Sequence, residues 1–438
     1  MSKRISRVLT VCLLLIYAAV PSFAQSGAAT AYSPYSIYGV GDLYSQGTAR
    51  DMAMAGVGIA GRDPRYLNVT NPAAVSVRDT LSVMFSIGVR NDNKTFSQGD
   101  IRSANNTLNV NDFAMSFRLM RNLGIVFGVS PYSSVGYDFS YSVNDPSLLS
   151  TAGFVSYTSA GSGGLYQLYG GLGTSLFKRL SVGAEVISYM GSISKESMMS
   201  FSNSTFRTIY SGYSMQLNAV AGKFGVQYEQ PVGGGSLTIG ATYKTKANLK
   251  GRVEDYKYAS LGSVSDTVSY NVDTLSLNRS VAIAGEIGIG ISYRKPEKWM
   301  AEIDYVRSDW AGSGFDSAAG FENRGDKSFS ATVSQSIKAG FEFIPNRNDI
   351  RYYFRQCAYR GGLYYQQAYY KYDGNTVDSY GLTLGMTLPV VRAYNGVNLG
   401  MEIGKRGSRT NGMMKENFVN FSIGVTIHDQ WFRKQRFN

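Results

Sequence analysis

Histidine, cysteine and proline are scarce in this sequence. Its 438 residues include one histidine, two cysteines and ten prolines. The lone histidine, His428, is a poor basis for the acid–base chemistry of a hydrolase, so we predict a rim residue with a structural role and no enzymatic activity. Cys12 lies in an apolar N-terminal run, and its removal would leave Cys357 alone. We therefore expect no intrachain disulfide, no metal site and no cofactor.

Long apolar runs are absent beyond the N-terminus, so no transmembrane helix is expected there. Residues 1–24 have the basic start, the apolar stretch and the Ser-Phe-Ala ending of a cleaved secretory signal. Val11 stands directly before Cys12, where a lipoprotein signal needs a small residue, so we do not expect lipidation. The sequence thus predicts export across the inner membrane of a Gram-negative bacterium.

Charged residues make up only 17% of the sequence, with a formal net charge of +12. Lysine and arginine do not cluster with interleaved aromatics, so we expect no nucleic-acid partner. Solvated rims beside outer-membrane lipid and anionic lipopolysaccharide explain the basic excess better.

Apolar and polar residues alternate with a period of two over many segments, which is typical of strands with one apolar face. Near residue 80, for example, Leu81, Val83 and Phe85 alternate with Ser82, Met84 and Ser86. We predict that the apolar set faces lipid, including Val281 and Ile283 in a later segment. About fourteen strands follow: 80–91, 108–120, 123–142, 164–177, 180–195, 205–229, 236–251, 272–294, 298–312, 327–344, 350–371, 377–388, 396–407 and 416–428.

The predicted links alternate in length. Short ones, such as 121–122, 178–179 and 345–349, alternate with mostly longer polar ones at 91–107, 142–163, 252–271 and 312–326. This is the pattern of short periplasmic turns and long external loops in an outer-membrane barrel. A soluble β-sandwich or β-helix would also alternate, but it would not explain apolar faces almost free of charge with aromatics at the segment ends, among them Tyr352, Tyr353, Phe354, Tyr369 and Tyr370. We predict an all-β fold, a transmembrane antiparallel barrel over residues 80–438.

Residues 47–77 break this alternation. Thr48 and Asp51 suggest a capping box that opens a short helix reaching Met54. The pairs Asp63-Pro64 and Asn71-Pro72 each suggest a further one-turn helix. Small residues between these elements allow tight packing, so we predict that residues 25–79 form a plug in the barrel lumen.

The plug carries a resemblance to a known family. The run Gly47, Arg50, Met52, Met54 and Gly56, followed by the turn Asn71-Pro72-Ala73, resembles the N-terminal hatch of the FadL/TodX-like outer-membrane transport family. SPYSIYGVGDL at 33–43 and WFRKQRFN at 431–438 resemble its Bacteroidota branch. The family usually has glycine after Asn-Pro-Ala, whereas Ala74 stands here, which concerns the local turn and not the fold.

The resemblance implies passive transport of hydrophobic, fatty-acid-like molecules through a monomeric plugged barrel. Met52, Met54, Val57 and Ile59 would offer an adaptable apolar surface to such a ligand, or they simply pack the plug against the wall. In the family, a kink in the third strand makes a lateral exit. Pro131 and Gly136 stand where that kink would be, although a bulge that only shapes the barrel would use them equally well.

Charged residues at inward positions are more often plug anchors than a permeation path, and we favour anchoring. These residues are Arg118, Glu185, Lys244, Glu286, Arg294, Glu302, Asp304, Lys338, Glu342 and Glu402.

A second function stays open. FadL-like barrels of this branch include subunits of secretion systems, so the resemblance also permits a non-transporting subunit or scaffold of an outer-membrane secretion or assembly complex. The barrel-assembly machinery is in any case an expected partner during biogenesis. External residues 148–150 and 153–157 suit either ligand capture or protein docking, and the sequence does not choose between them.

Overall fold

A computed structural model describes residues 32–79, 82–120, 122–143, 149, 152–177, 179–261, 264–273, 281–318, 320, 321, 328–390 and 395–430. The predicted signal at 1–24, the loop residues 148 and 150 and the C-terminal residues 431–438 lie outside this part of the chain. None of the helices in the described ranges is long and apolar enough to cross a membrane.

Strands make up most of the described chain. In chain order they are β1 (Asp42–Leu43), β2 (Ser82–Gln98), β3 (Ile101–Met120), β4 (Leu123–Val143), β5 (Val155–Leu176), β6 (Leu180–Phe201), β7 (Thr208–Val232), β8 (Gly235–Lys244), β9 (Ala247–Asn248), β10 (Lys250–Leu261), β11 (Val264–Asp273), β12 (Ala282–Ile283), β13 (Glu286–Lys295), β14 (Trp299–Asp309), β15 (Phe329–Ala331), β16 (Val333–Phe343), β17 (Ala358–Tyr372), β18 (Asn375–Pro389), β19 (Gly396–Arg406) and β20 (Lys415–Gln430). Short helices lie at Pro34–Ile37, Ala49–Met52, Pro72–Val77 and Tyr353–Gln356.

The strands form one closed antiparallel barrel. Each wall strand pairs with its neighbours in sequence, and β2 closes the wall against β20 from Ser82↔Gln430 to Ser97↔Lys415. A wall position is one crossing of the chain through the wall, and three of these crossings are divided into shorter strands. One consists of β8, β9 and β10, the next of β11, β12 and β13, and a third of β15 and β16. Fourteen wall positions result, so the predicted fold class is confirmed.

The two faces of each strand differ as the alternation predicts. On β13, Ile287, Ile289 and Ile291 are each about half exposed, while Gly288 and Gly290 between them face the interior. Exposed apolar side chains all round the outer face of the wall are typical of a lipid-facing surface. Val281 and Ile283 do not follow this face. Both are buried, because the chain leaves the regular ladder between β11 and β13, so their predicted lipid exposure is wrong.

Three predicted connections are also wrong. Residues 91–107 and 252–271 form the tight hairpins β2–β3 and β10–β11 in place of long loops, because a strand that extends past the membrane has two polar faces and loses the amphipathic signal. The strand predicted from residue 350 begins at Ala358. Before it lies a longer turn that contains the Tyr353–Gln356 helix, with Ile350 and Phe354 exposed.

Candidate functional site

The N-terminal segment, residues 32–79, lies against the inner face of the wall. Its first part follows β4. Ser33 N donates to Gly136 O at 2.7 Å and Tyr44 N donates to Tyr132 O at 2.9 Å, while β1 pairs with Ser133 and Ser134. This stretch therefore takes a place beside β4 that a wall strand would otherwise occupy.

The Ala49–Met52 helix begins with the predicted capping box. Thr48 N and Thr48 Oγ1 both donate to Asp51 Oδ2 at 3.0 Å. The helix ends before Met54, and the chain turns at Gly56 with a φ of +74°, a conformation that favours glycine. The backbone of this part is thus set by the residues that the sequence singled out.

The second half of the segment is organised by Asn71. Its Oδ1 accepts from Ala73 N at 3.0 Å and caps the Pro72–Val77 helix, while its Nδ2 donates to Ile59 O at 2.7 Å. The helix predicted at Asp63-Pro64 is instead a turn. There the Asp63 carboxylate binds Arg65, whose Nε lies 2.9 Å from Asp63 Oδ1.

Residues 49–75 make one complete circuit of the inner wall. At one level, twelve of the fourteen wall positions present a glycine, and a methyl group there would meet this stretch. A Cβ on Gly424 would lie 2.6 Å from Ala49 Cβ, one on Gly385 2.5 Å from Ala53 Cβ and one on Gly362 2.7 Å from Ala55 N. The contacts continue from Ile59 on β8 and β13 to Asn71 on β7, Pro72 on β5 and β6 and Val75 on β4. These glycines, here called the glycine belt, are Gly88, Gly124, Gly173, Gly183, Gly225, Gly240, Gly290, Gly340, Gly362, Gly385, Gly400 and Gly424.

Strand β14 contributes carboxylates where twelve of the other wall positions contribute glycine. Asp304 Oδ2 accepts hydrogen bonds from Gly58 N at 2.8 Å and Ile59 N at 3.0 Å, and Glu302 Oε1 accepts from Ala60 N at 2.8 Å. Three consecutive backbone N–H groups of the circuit therefore end on two buried acids. Each of these bonds gives an acceptor to a backbone donor that is buried away from water.

Ion pairs fill the middle of the circuit. Glu342 Oε2 accepts from Arg360 Nε at 2.8 Å and from Arg50 Nη2 at 3.3 Å, and the Arg50 guanidinium lies 4.0 Å from the centroid of the Tyr66 ring. Arg62 binds Glu229 at 2.9 Å. The centre of the lumen at this level is consequently occupied by paired charges and not by an apolar channel.

Asp63 is the most strongly held acid of the segment itself. Burial alone would raise the pKa of its carboxyl. The positive charges of Arg65 at 2.5 Å and Arg294 at 3.2 Å more than offset this effect, so the pKa of Asp63 lies well below its usual range. Asp63 stays ionised, and it ties the segment to β13 through Arg294.

Two more of the predicted lumen charges have partners within the chain, and Glu286 is one of these partners, whereas Glu185 differs. Lys244 Nζ binds Glu286 at 3.2 Å, and Arg118 Nη1 donates to Arg78 O at 2.6 Å. Glu185 is buried, with one carboxylate oxygen that has no hydrogen-bond partner among the described residues.

Two cavities flank residues 43–46, with volumes of about 160 and 140 Å³. Arg90, Glu402 and Arg406 line the first, and Glu185, Lys244 and Glu286 line the second. Binding sites for small organic molecules are usually about 300–1,000 Å³ and mainly apolar. These cavities are smaller and rich in charge, so neither resembles a site for a greasy molecule.

The four residues proposed to contact a ligand occupy different places. Met54 and Val57 are buried in one cluster with Met300, whereas Met52 lines the first cavity and Ile59 the second. The structure does not bring them together into one apolar surface.

Pro131 marks a change in the wall. Pairing between β3 and β4 ends at Phe113↔Val129, and the register of β4 on β5 shifts between Pro131 and Ser133. Beyond this point, Tyr132 to Gly136 are buried on both faces of the strand, and Gly136 binds Ser33 and Ser36 of the N-terminal segment. Pairing between β3 and β4 thus ends close to Pro131, and the chain's own residues 32–44 lie along the β4 side of the gap that follows.

The outer part of the lumen contains an aromatic cluster that was not predicted from the sequence. Trp310 packs on Tyr369 with ring centroids 4.6 Å apart, and Tyr369 Oη donates to Gly41 O at 2.8 Å. Tyr369 and Tyr370 are buried here, so their predicted place at the lipid headgroups is wrong. Tyr369 and Tyr370 are neighbours in a strand, between Ala368 and Lys371, and neighbouring side chains point to opposite faces. The sequence therefore contained a signal that one of the two tyrosines points inward.

Solved structures of similar fold include a toluene transporter from Pseudomonas putida, TodX, at 14% identity and a TM-score of 0.58, covering 90% of this chain and all of that one. The monoaromatic hydrocarbon channel CymD matches at 12% identity and 0.57, covering 88% and 98%. The toluene transporter TbuX from Ralstonia pickettii matches at 15% and 0.55, covering 87% and 98%. At such identities the likeness shows the fold alone, which is that of a FadL-like outer-membrane barrel.

A comparison with curated protein sequences gave no match. The BamG family model, in contrast, matches residues 1–438, the whole chain. This protein therefore belongs to the BamG family, and its fold is that of a FadL-like outer-membrane β-barrel.

Proposed function

We propose that this protein is a non-transporting barrel that serves as a subunit of the outer-membrane β-barrel assembly machinery. The observation that carries the proposal is the circuit of residues 49–75 against the glycine belt. The family name, BamG, supports a link to barrel assembly.

Passage along the barrel axis would require the circuit to leave the wall. Atoms of this segment lie close to glycines of twelve wall positions, so partial displacement would open gaps at many places at once. The three N–H groups on Glu302 and Asp304 would also lose their acceptors, at a cost of about 1–3 kcal/mol each. A fixed closure is the simpler role for such a segment.

The chemistry of the lumen supports the same proposal. A hydrophobic solute gains free energy only where it leaves water for an apolar surface. The cavities beside residues 43–46 offer the ion pairs Arg90–Glu402 and Arg406–Asp42, with N–O distances of 2.8 and 2.7 Å. Such surfaces hold water and do not attract hydrocarbon.

Transport of a hydrophobic molecule is the second candidate. The gap between β3 and β4 favours it, because a solute that left sideways would not need to cross the circuit. Structures with the same fold are described as toluene transporters and monoaromatic hydrocarbon channels. For that route, residues 32–44 would have to move from β4.

Native mass spectrometry of the protein, extracted gently from its own membranes, separates these functions. The proposal predicts a stable complex with barrel-assembly proteins and no stoichiometric apolar molecule after organic extraction. A lone barrel that carries a stoichiometric fatty acid or hydrocarbon would contradict it and establish the transport candidate.

A further inference from the structure

The connection between β16 and β17 is longer than any other at its end of the barrel. It comprises residues 344–357 and lies at the same end as Ser82 and Gln430, where the other strand pairs are joined by at most six residues. In barrels of this class the end with short turns faces the periplasm. The extra length is therefore not needed to connect two neighbouring strands.

Asp349 fixes the conformation of this connection. Its Oδ1 accepts hydrogen bonds from Arg351 N and Tyr352 N, both at 2.9 Å, and its Oδ2 lies 3.3 Å from Arg355 Nη1. The backbone is closed further by Asn346 N, which donates to Arg355 O at 2.8 Å. The side chains that this turn exposes thus form a defined surface.

Two hydrogen bonds fasten the turn to the outer side of the wall. Tyr359 points outward from β17, because it lies opposite Phe343 of β16, which is 45% exposed on the outer face. The Tyr359 hydroxyl donates to Phe354 O at 3.0 Å, and the Tyr353 hydroxyl donates to Pro389 O at 2.9 Å, at the end of β18. The short helix of this turn consequently lies on the lipid-facing side of the rim.

The exposed side chains of the turn are apolar and aromatic. Ile350 is 99% exposed and Phe354 is 66% exposed, while Tyr352 and Tyr353 are each about half exposed. Transfer of Ile350 and Phe354 from water into hydrocarbon is favourable, and hydrocarbon surrounds the wall beside this rim. Tyrosine is common at the boundary between lipid and water.

Arginines lie beside these apolar side chains. The guanidinium carbons of Arg351 and Arg355 lie 5.4 and 4.9 Å from the centroid of the Tyr352 ring, and the Arg355 side chain is 60% exposed. The turn also contains Arg347 and a single acid, Asp349, so its net charge is positive. Guanidinium groups suit phosphate recognition, and a phospholipid presents its phosphate next to its acyl chains.

We propose that residues 346–356, here called the rim anchor, insert into the inner leaflet of the outer membrane and bind an anionic phospholipid. Ile350 and Phe354 enter the acyl-chain region, and Arg351 and Arg355 bind the phosphate. This goes beyond placing aromatic residues at the headgroups, because it assigns a ligand to the two arginines. It holds whether the barrel serves in assembly or in transport.

Lipid is a better occupant of this surface than a periplasmic polypeptide. The rim anchor is bonded to Tyr359, and Tyr359 and Phe343 belong to the outer face that contacts lipid. The surface is therefore continuous with one that the membrane already covers. Its positive charge also complements an anionic headgroup.

Spin labels test the insertion. Cys357→Ser removes the only cysteine among the described residues, and a single labelled cysteine then replaces Ile350, Phe354 or, as the control, Glu297. Glu297 is exposed in the β13–β14 turn at the same end of the barrel. The protein is placed in vesicles of phosphatidylethanolamine and phosphatidylglycerol.

Collision rates of the labels with oxygen and with a water-soluble nickel chelate are then compared. Oxygen concentrates in hydrocarbon and the chelate is excluded from it, so the oxygen-to-nickel ratio should be about tenfold higher at positions 350 and 354 than at 297. Equal ratios would place the rim anchor in water and overturn the proposal.

Retention of phosphatidylglycerol tests the arginines. Native mass spectrometry of the protein, extracted from the same vesicles in mild detergent, measures the fraction of barrels that keep this lipid. In Arg351→Gln/Arg355→Gln that fraction should fall by about tenfold, because two positive charges beside the headgroup are lost. Arg179→Gln, in the β5–β6 turn at the same end, is the control and should change nothing. Undiminished retention in the double variant, with the heat-modifiable mobility of a folded barrel, would overturn the proposal.

Photocrosslinking in the native membrane separates lipid from protein as the occupant. A benzophenone amino acid in place of Phe354 should give an adduct with the mass of a phospholipid. An adduct with another polypeptide at this position, without the lipid adduct, would contradict the rim anchor and show that the turn binds a protein.

Discussion

At the scale of single residues, the glycines of the wall determine where the N-terminal segment can lie, because they have no side chain to keep it away. Glycines are plentiful throughout this sequence, 49 in all, so their number did not reveal the belt. What matters is that one glycine per strand falls at the same level of the wall, which depends on strand tilt and register. Local sequence does not contain that information. The predicted anchors Glu302 and Asp304 were visible as inward charges, but their backbone partners were not.

Adding a methyl group to the belt should loosen the segment. Gly240→Ala would drive Cβ into the backbone of Ile59 and Ala60, whereas Gly170→Ala on β5 meets no atom within 4 Å. We expect Gly240→Ala to cost about 1–3 kcal/mol and to expose residues 49–75 to protease, with Gly170→Ala as the neutral control. Equal protease resistance of the two variants would contradict a close-packed belt.

Removing one carboxylate should free two backbone groups. Asp304→Ala leaves Gly58 N and Ile59 N without their acceptor, so amide exchange there should rise by about tenfold or more. Asp309→Ala on the same strand is the matched control, because that carboxylate accepts from Ala311 N at 3.0 Å instead. Hydrogen-exchange mass spectrometry of residues 56–62 makes the measurement, and unchanged exchange in Asp304→Ala would argue against anchoring by β14.

At the scale of elements, the period-two alternation predicted the wall well where the wall crosses lipid. All fourteen wall positions overlap a predicted strand, because one apolar face is obligatory there. The prediction failed where that requirement ends. It failed at the hairpins beyond the membrane, and at residues 350–357, where the predicted strand is instead a turn with the short helix Tyr353–Gln356. The bend of β4 was predictable from Pro131, but the strand that occupies its edge comes from residues far away in sequence.

We expect the gap between β3 and β4 to be governed by residues 32–44 and not by Pro131 alone. Deletion of residues 32–43 removes β1 and the bonds to Gly136, so it should open a lateral path and increase entry of a hydrophobic antibiotic. Pro131→Ala leaves those bonds in place and should not change entry. Antibiotic sensitivity of the two strains, at matched barrel levels, decides this; increased sensitivity from Pro131→Ala alone would show that the proline sets the gap.

At the scale of the whole molecule, the barrel has the fold of known transport channels, but its lumen contains the N-terminal segment and an aromatic cluster. The wall supplies the membrane position, the circuit lies against its inner face, and the aromatic cluster around Trp310 lies further out in the lumen. What is left for interaction is the outside of the wall and its extensions beyond the membrane. Fold class was predictable from the sequence because the membrane imposes it, whereas the choice between transport and scaffolding depends on how the lumen is filled.

A disulfide staple tests whether residues 49–75 must leave the wall for the protein to function. A Cβ on Gly400 would lie 3.7 Å from Ala53 Cβ, within the usual disulfide range. The variant Ala53→Cys/Gly400→Cys, with Ser422→Ala to clear the space beside Gly400, ties the circuit to β19; each single cysteine in the Ser422→Ala background is the control. A circuit that never leaves the wall predicts that the oxidised staple, as the sole copy in the cell, supports assembly of other outer-membrane barrels as well as the controls do. Loss of function on oxidation, with recovery on reduction, would instead show that the segment must move.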